Sequence, residues 1–361
     1  MKILILGFTK IKYMPYLDFY LRNISHTEHQ IDVLYWNRDL KSEPMPYKDV
    51  NFIEFKALQK DDCARFLKIK NFVRYSLYCK KILKKNYDRM VILHTFPGVL
   101  NWLTLIKKYK NRYIYDFRDV TYEQFPIYRK IIASLVRNSI FTSVSSDGFR
   151  KYLPKDCENK IFTNHNIIAE SLQHRDAVSK QTKPSTIRIA FWGFIREENL
   201  NKQIIKSIAK DKRFELHYYG REQQIAINLK QYAQSIDARN VFFHGEYNPE
   251  DRYEFVKNTD LIHNLYSETE NMMLAMANKF YDGVIFYLPQ ICIKGSYMGK
   301  IVQENGLGFV VDVKNQCLLN DIYFEYNKIN RKTFEKKCDI CLQRFLNEMG
   351  LTKGALLNVF E

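Results

Sequence analysis

The sequence predicts an α/β protein made of two Rossmann-like domains. Three observations carry the prediction. Short apolar runs ending at a glycine or polar turn alternate with longer amphipathic stretches, which is the order of a doubly wound parallel sheet. The alternation starts twice, at Lys2–Leu6 before Gly7 and again at Ile187–Trp192 before Gly193. A polar stretch containing Pro184 separates the two starts, and 361 residues suits two domains.

The elements follow in order. KILIL (2–6) reads as a buried parallel strand, and Gly7 lets the chain turn tightly at its carboxyl end. A helix is expected over 13–24, then strands over 30–36 and 50–55. Residues 61–87 read as one long helix, with Phe66, Ile69, Phe72, Val73, Leu77 and Ile82 on an apolar face and lysines and arginines around the rest. That helix is either an ordinary basic surface helix or one facing a membrane or phosphate groups. A strand at 90–93 delivers His94 just before Pro97-Gly98. A helix at 102–109 and a strand at 113–116 deliver Asp116-Phe117-Arg118-Asp119. A second basic amphipathic helix covers 127–139, and a strand covers 140–143. Ser145 or Ser146 caps a helix starting near Asp147. A strand at 161–163 closes the first domain.

The domain bounds expected are 1–166, a linker at 167–186, a second domain at 187–313, and a C-terminal helical segment at 314–361 packing back toward the first domain. In the second domain, strands are expected at 187–192, 215–219, 241–243, 261–265, 290–293 and 308–312. Helices between them cover 199–209, 223–233, 249–257, a stretch opening at Asn278, and 300–305.

Charge is uneven. Residues 1–166 hold 30 Lys and Arg against 16 Asp and Glu, while residues 167–361 hold 26 against 24. The basic first half suits nucleic acid, an anionic membrane surface or a phosphate-bearing ligand. No apolar run reaches the ~20 residues of a membrane span. MKILILGFTK enters a strand directly, and its apolar run is too short for a signal peptide, so the expected location is cytoplasmic. Seven scattered cysteines fit reduced thiols. Cys338 and Cys341 form a lone CxxC without a second pair, which reads as helix cysteines rather than a zinc site. No GxGxxG and no Walker loop occur, so neither a dehydrogenase nor an NTPase is indicated.

Residues 271–312 read NMMLAMANKFYDGVIFYLPQICIKGSYMGKIVQENGLGFVVD. Lys279 and Asp282 lie three apart and project from one helix face. Such a pair is either a solvated surface or a ligand-holding couple. The pattern Asn-Lys-x-x-Asp, a proline seven residues on, then Gly-Leu-Gly-Phe-Val-Val resembles the donor-binding segment of GT-B glycosyltransferases, especially the family-four group of bacterial polysaccharide enzymes. The resemblance covers residues 187–313 well and 1–166 more loosely, where YDFRD (115–119) resembles an acceptor-side segment. In that group a carboxylate at the place of Asp282 holds the donor ribose. A glutamate usually stands eight positions earlier. Here Leu274 occupies that position, and Glu268, Glu270 and Asn271 lie nearby.

The resemblance implies a GT-B architecture with the active site in the cleft between the domains. It implies a nucleotide-sugar donor, of the UDP-sugar class, with no cofactor and no metal. Its donor-side residues would be Gly193, Arg196, Lys202, Gly220, Glu246, Asn271, Asn278, Lys279 and Asp282. Gly7, Asp116 and Arg118 would face the acceptor, and His94 and Asp119 would be catalytic. Residue-level alternatives stay open: His94 as a core histidine, Arg118 as the partner of Asp119 or as a helix cap. Retention is what the resemblance implies, with the donor phosphate taking the proton; inversion would need His94 or Asp119 as general base.

The expected function is a glycosyltransferase extending a lipid-linked capsule or surface-polysaccharide precursor, bound peripherally at the inner face of the membrane. A GT-B-fold sugar-nucleotide epimerase and a basic nucleic-acid-binding protein are the competing readings. The epimerase reading lacks a rich carboxylate cluster. The nucleic-acid reading lacks the aromatic-plus-glycine signatures of RNA modules, so no nucleic-acid partner is expected.

Overall fold

The computed structural model describes residues 1–60, 63–175 and 184–361. The chain divides into two compact units. One comprises Met1–Asn166 with Asn347–Glu361, the other Ile167–Leu346. The expected linker falls partly outside the described residues, as do the first two residues of the long basic helix.

The first unit holds a seven-stranded parallel sheet in the order β3-β2-β1-β4-β5-β6-β7. Its strands are β1 (Lys2–Leu6), β2 (Gln30–Asn37), β3 (Asn51–Lys56), β4 (Arg89–Leu93), β5 (Tyr113–Phe117), β6 (Thr142–Val144) and β7 (Ile161–Thr163). β1 pairs with β2 in the register Ile3↔Ile31 and with β4 in the register Ile3↔Arg89. Ile3 to Leu6 and Met90 to Leu93 are wholly buried, because helices cover both faces of these central strands. The helices are α1 (Leu17–Asn23), α2 (Arg65–Leu83), α3 (Thr95–Leu100), α4 (Trp102–Lys108) and α5 (Pro126–Asn138). The strand order reverses between β1 and β4, so a ligand crevice is expected at the carboxyl ends of those two strands.

Three local expectations change. A 3₁₀ turn at Ile11–Tyr13 precedes α1 where a single helix was expected over 13–24. The segment after Ser146 is 3₁₀ rather than α, with the Ser146 hydroxyl accepting from the Gly148 amide at 3.2 Å. In α2 the covered side is Asn71, Tyr75, Cys79 and Ile82, whereas Phe66, Ile69, Val73 and Leu77 are exposed. Of the apolar face read from sequence, these four therefore point to solvent, whereas Ile82 is covered and Phe72 packs on Phe8 and Phe96. Tyr75 holds the inner side by donating its hydroxyl to the Gly7 carbonyl at 2.6 Å.

The second unit holds a six-stranded parallel sheet in the order β10-β9-β8-β11-β12-β13. Its strands are β8 (Ile187–Trp192), β9 (Phe214–Tyr219), β10 (Val241–Phe243), β11 (Leu261–Asn264), β12 (Gln290–Ile293) and β13 (Gly308–Val311). Its helices are α6 (Ala169–Gln173), α7 (Glu198–Ile208), α8 (Gln224–Ser235), α9 (Arg252–Lys257), α10 (Glu270–Leu274), α11 (Asn278–Ile285), α12 (Tyr297–Asn305) and α13 (Leu318–Lys328), followed by the start of α14 (Arg331–Phe360). Two apolar clusters cover its faces. One is built around Ile189, Leu216, Tyr218 and Leu229, the other around Phe280, Val284, Phe286 and Phe345. The order reverses between β8 and β11, which makes the second switch point.

The close of α14 returns to the first unit. There Thr352 donates to the Thr163 carbonyl at 2.8 Å, and Leu356 and Phe360 join the core around β1 and β2. Cys338 and Cys341 are buried in α14 beside Phe334 and Leu342. Among the described residues, no helix is long and apolar enough to cross a membrane.

Candidate active site

In the first unit the switch point is made by Gly7 after β1 and His94 after β4. A Cβ on Gly7 would press on Met14 and on the Leu34 carbonyl. His94 has φ 80° and ψ 156°, a region nearly confined to glycine and costing a side chain about 1–3 kcal/mol. Its amide donates to the Asp116 carbonyl at 3.0 Å. Its Nδ1 accepts from the Phe96 amide at 3.4 Å, which leaves the proton on Nε2, directed at Asp119 Oδ2 at 2.7 Å. Thr95 Oγ1 fixes the Asp119 carbonyl at 2.8 Å. The imidazole lies beside Phe8 and Phe96, each ring centroid 6.0 Å away, and those two rings stack on each other at 5.3 Å. A strained backbone thus presents a histidine whose ring is oriented by a carboxylate.

Asp116 and Arg118 form a separate, buried network. Arg118 Nε donates to Asp116 Oδ2 at 2.8 Å, and Ser143 donates to Asp116 Oδ1 at 2.9 Å. Ser143 also meets the Tyr20 hydroxyl at 2.9 Å. The Arg118 guanidinium bonds Asn166 and lies 3.9 Å over the Tyr16 ring. Arg118 is therefore the partner of Asp116 rather than the partner of Asp119 or a cap. Asp116, wholly buried, serves to lock it.

Sequence reasoning missed Glu123. It is fully buried in the loop after β5, one oxygen taking the Thr121 amide and the other with no partner among the described residues. Burial pushes its carboxyl above the usual range.

In the second unit, Gly193 and Gly220 close the ends of β8 and β9. A Cβ on Gly220 would overlap the Gly193 carbonyl, so the two turns fit only without one. Arg196 follows, half-buried, its guanidinium 4.9 Å over the Phe194 ring. Lys202 pairs instead with Glu198 along α7 at 2.6 Å. Asn271 is half-buried, whereas Glu246 and Asn278, the latter at the start of α11, are exposed.

Lys279 and Asp282 both point inward, so the pair is not a solvated face. Lys279 Nζ donates to the Tyr266 hydroxyl and sits 3.5 Å from the Phe191 ring centroid and 4.5 Å from that of Tyr266. Burial pushes its ammonium well below the ordinary lysine value, and nearby Arg196 pushes the same way. A phosphate beside it would favour the charged form. Asp282 accepts from Trp192 Nε1 at 2.8 Å and meets Arg252 Nη1 at 3.4 Å. Burial raises its carboxyl against the pull of Arg252. The carboxylate read as a ribose acceptor is thus already held by an indole and a guanidinium of its own domain. Neither Trp192 nor Arg252 was singled out from sequence. Trp192 ends the strand one residue before Gly193, and that position was the available signal.

His263 lies beside this group, its Nδ1 accepting from the Leu265 amide at 3.1 Å. Burial, with Lys279 next, pushes its pKa down to about 3. The arrangement offers two basic side chains, Arg196 and Lys279, at the end of a sheet where phosphates bind in open α/β folds.

No family model matches the sequence, and no curated protein matches it. Solved structures do. Sucrose-phosphate synthase from Thermosynechococcus elongatus superposes with a TM-score of 0.71 at 11% identity, covering 99% of each chain. Anabaena HepE in complex with UDP superposes with a TM-score of 0.66 at 12% identity, covering 99% of each chain. UDP-GlcNAc 2-epimerase from Methanocaldococcus jannaschii superposes with a TM-score of 0.55 at 12% identity, covering 95% of this chain and 100% of its own. At such identities the likeness speaks of fold alone, and it spans nearly the whole chain: two parallel-sheet Rossmann-like domains, as in GT-B glycosyltransferases.

Proposed function

We propose that the protein is a glycosyltransferase that moves a sugar from a nucleotide-sugar donor to a glycan acceptor. The observation that carries this reading is that each sheet's switch point holds the matching chemistry. His94 and Asp119 form a carboxylate-oriented imidazole in the first unit, and Arg196 and Lys279 form a basic pair in the second. Among the structural neighbours, HepE is described in complex with UDP and glucose, which supports a uridine-diphosphate donor.

In this reading Lys279 and Arg196 neutralise the leaving diphosphate as the bond from the anomeric carbon to the phosphate oxygen breaks. The acceptor oxygen bonds to that carbon, and its proton passes to the departing phosphate on retention or to the His94–Asp119 pair on inversion. The family-four resemblance supports retention. It also supports a lipid-linked acceptor of capsule or surface polysaccharide.

The epimerase likeness supports a second reading, and one assay separates the two. The purified chain is incubated with UDP-, GDP-, dTDP- and CMP-sugars, with and without lipid-linked oligosaccharide, and the free nucleotide is measured. Acceptor-dependent release supports transfer. Conversion of the sugar without acceptor supports epimerisation and overturns the proposal.

A further inference from the structure

The outer side of α2 carries more apolar surface than a solvated helix needs. Phe66, Ile69, Val73 and Leu77 are 73%, 63%, 53% and 60% exposed. Their spacing of three and four residues sets them in one row along the helix, opposite the covered Asn71, Tyr75 and Cys79. Lys80 and Lys84 continue the same row, and both are exposed. The helix RFLKIKNFVRYSLYCKKIL has six Lys and Arg and no acidic residue.

A second element repeats the combination. Phe125 and Ile127, at the start of α5, are 57% and 76% exposed, with Arg129 and Lys130 shortly after. Ring contacts run between the two helices: Phe72 to Phe96 at 5.3 Å, Phe96 to Tyr122 at 6.3 Å, and Tyr122 to Tyr128 at 5.7 Å. Phe96 is also the ring stacked on His94, so this surface adjoins the candidate acceptor end of the first sheet.

We propose that the outer row of α2, with the start of α5, docks on an anionic lipid surface and inserts its apolar side chains between the headgroups. Three occupants would cover an exposed apolar row: lipid, a second copy of the chain, or another macromolecule. A second copy would bring the same cations face to face. Nucleic acid would engage the lysines but has no place for four exposed Phe, Ile, Val and Leu side chains. An anionic bilayer satisfies both, with phosphate for the lysines and acyl boundary for the row. The inference goes beyond the catalytic reading and does not depend on it. It also puts the candidate acceptor end next to the bilayer, where a lipid-linked acceptor would be met.

The experiment is flotation of the full chain with phosphatidylcholine vesicles, with and without phosphatidylglycerol, at low and high salt. The wild type is expected to float with the anionic vesicles at low salt and not with the neutral ones. The variant Phe66→Ser, Ile69→Ser, Val73→Ser, Leu77→Ser keeps every charge. It is expected to lose about tenfold or more in partitioning while keeping its melting temperature and its affinity for nucleotide. A Phe66→Trp variant is expected to shift its emission to the blue on anionic vesicles. Equal flotation of the serine variant would overturn insertion. A wild type that stays unbound at low salt would overturn docking altogether. A dimer that the serine variant dissociates would assign the row to a second copy. Displacement from vesicles by an oligonucleotide, with no blue shift from the Phe66→Trp variant, would assign it to nucleic acid.

Discussion

His94 holds a backbone conformation that only glycine adopts without cost. His94→Ala keeps the strain and loses the imidazole, whereas His94→Gly loses both. His94→Gly is therefore expected to be more stable than His94→Ala by about 1–2 kcal/mol in urea unfolding; loss of transfer from both would mark inversion, the case in which the His94–Asp119 pair takes the proton. Equal stabilities would mean that the strain is not carried by this residue. Asp282 belongs to a buried pair. Asp282→Ala leaves Arg252 buried without its carboxylate, and a loss of about 3–5 kcal/mol is expected. A ligand-holding carboxylate with no structural duty would instead leave the urea midpoint unchanged. His263 titrates with a defined sign. It stays neutral in the fold down to about 3, while the unfolded histidine takes its proton near 6.5. Its contribution to stability is full above 6.5 and is lost as pH falls toward 3, at about 1.4 kcal/mol per pH unit. His263→Asn keeps an acceptor for the Leu265 amide, and its unfolding free energy is expected to fall less steeply between those limits.

At the scale of elements, the strands were plain from their apolar runs, because a central parallel strand is buried on both faces and needs no polar alternation. His94 and Asp119 were singled out because strand ends can be counted from those runs, and the fold brings the two side chains together. Which side of α2 faces the sheet was not, since periodicity defines a stripe but not what covers it. The covered side uses Asn71, Tyr75 and Cys79, whose polar atoms find partners only in the folded chain, as Tyr75 does at Gly7. α3 and α10 were missed as well; at 6 and 5 residues they are too short to show a period. The partners of Asp282 come from β8 and α9, far away in sequence, so nothing local announced them. This orientation of α2 gives a direct test. Tyr75→Ala is expected to destabilise the fold by about 3–5 kcal/mol, whereas Leu77→Ala, two residues on and exposed, is expected to stay within about 0.5 kcal/mol of wild type. Thermal or urea unfolding of the two variants checks it, and the reverse order would put the stripe inside.

For the whole molecule, the doubly wound order appears twice, and each reversal of strand order places charged groups at the carboxyl ends of its sheet. Both starts of that pattern could be read from KILILG and IRIAFWG; of the C-terminal segment expected at 314–361 to pack back toward the first domain, residues 347–361 belong to the first unit and 314–346 to the second. The central claim is that the second unit holds a nucleoside diphosphate through Lys279. The direct measurement is titration calorimetry of UDP, GDP, dTDP and CDP, each beside its bare nucleoside, into the wild type and Lys279→Ala. One diphosphate is expected to bind the wild type, and Lys279→Ala is expected to weaken that diphosphate more than its nucleoside. The account is contradicted if no diphosphate binds, or if Lys279→Ala weakens diphosphate and nucleoside equally.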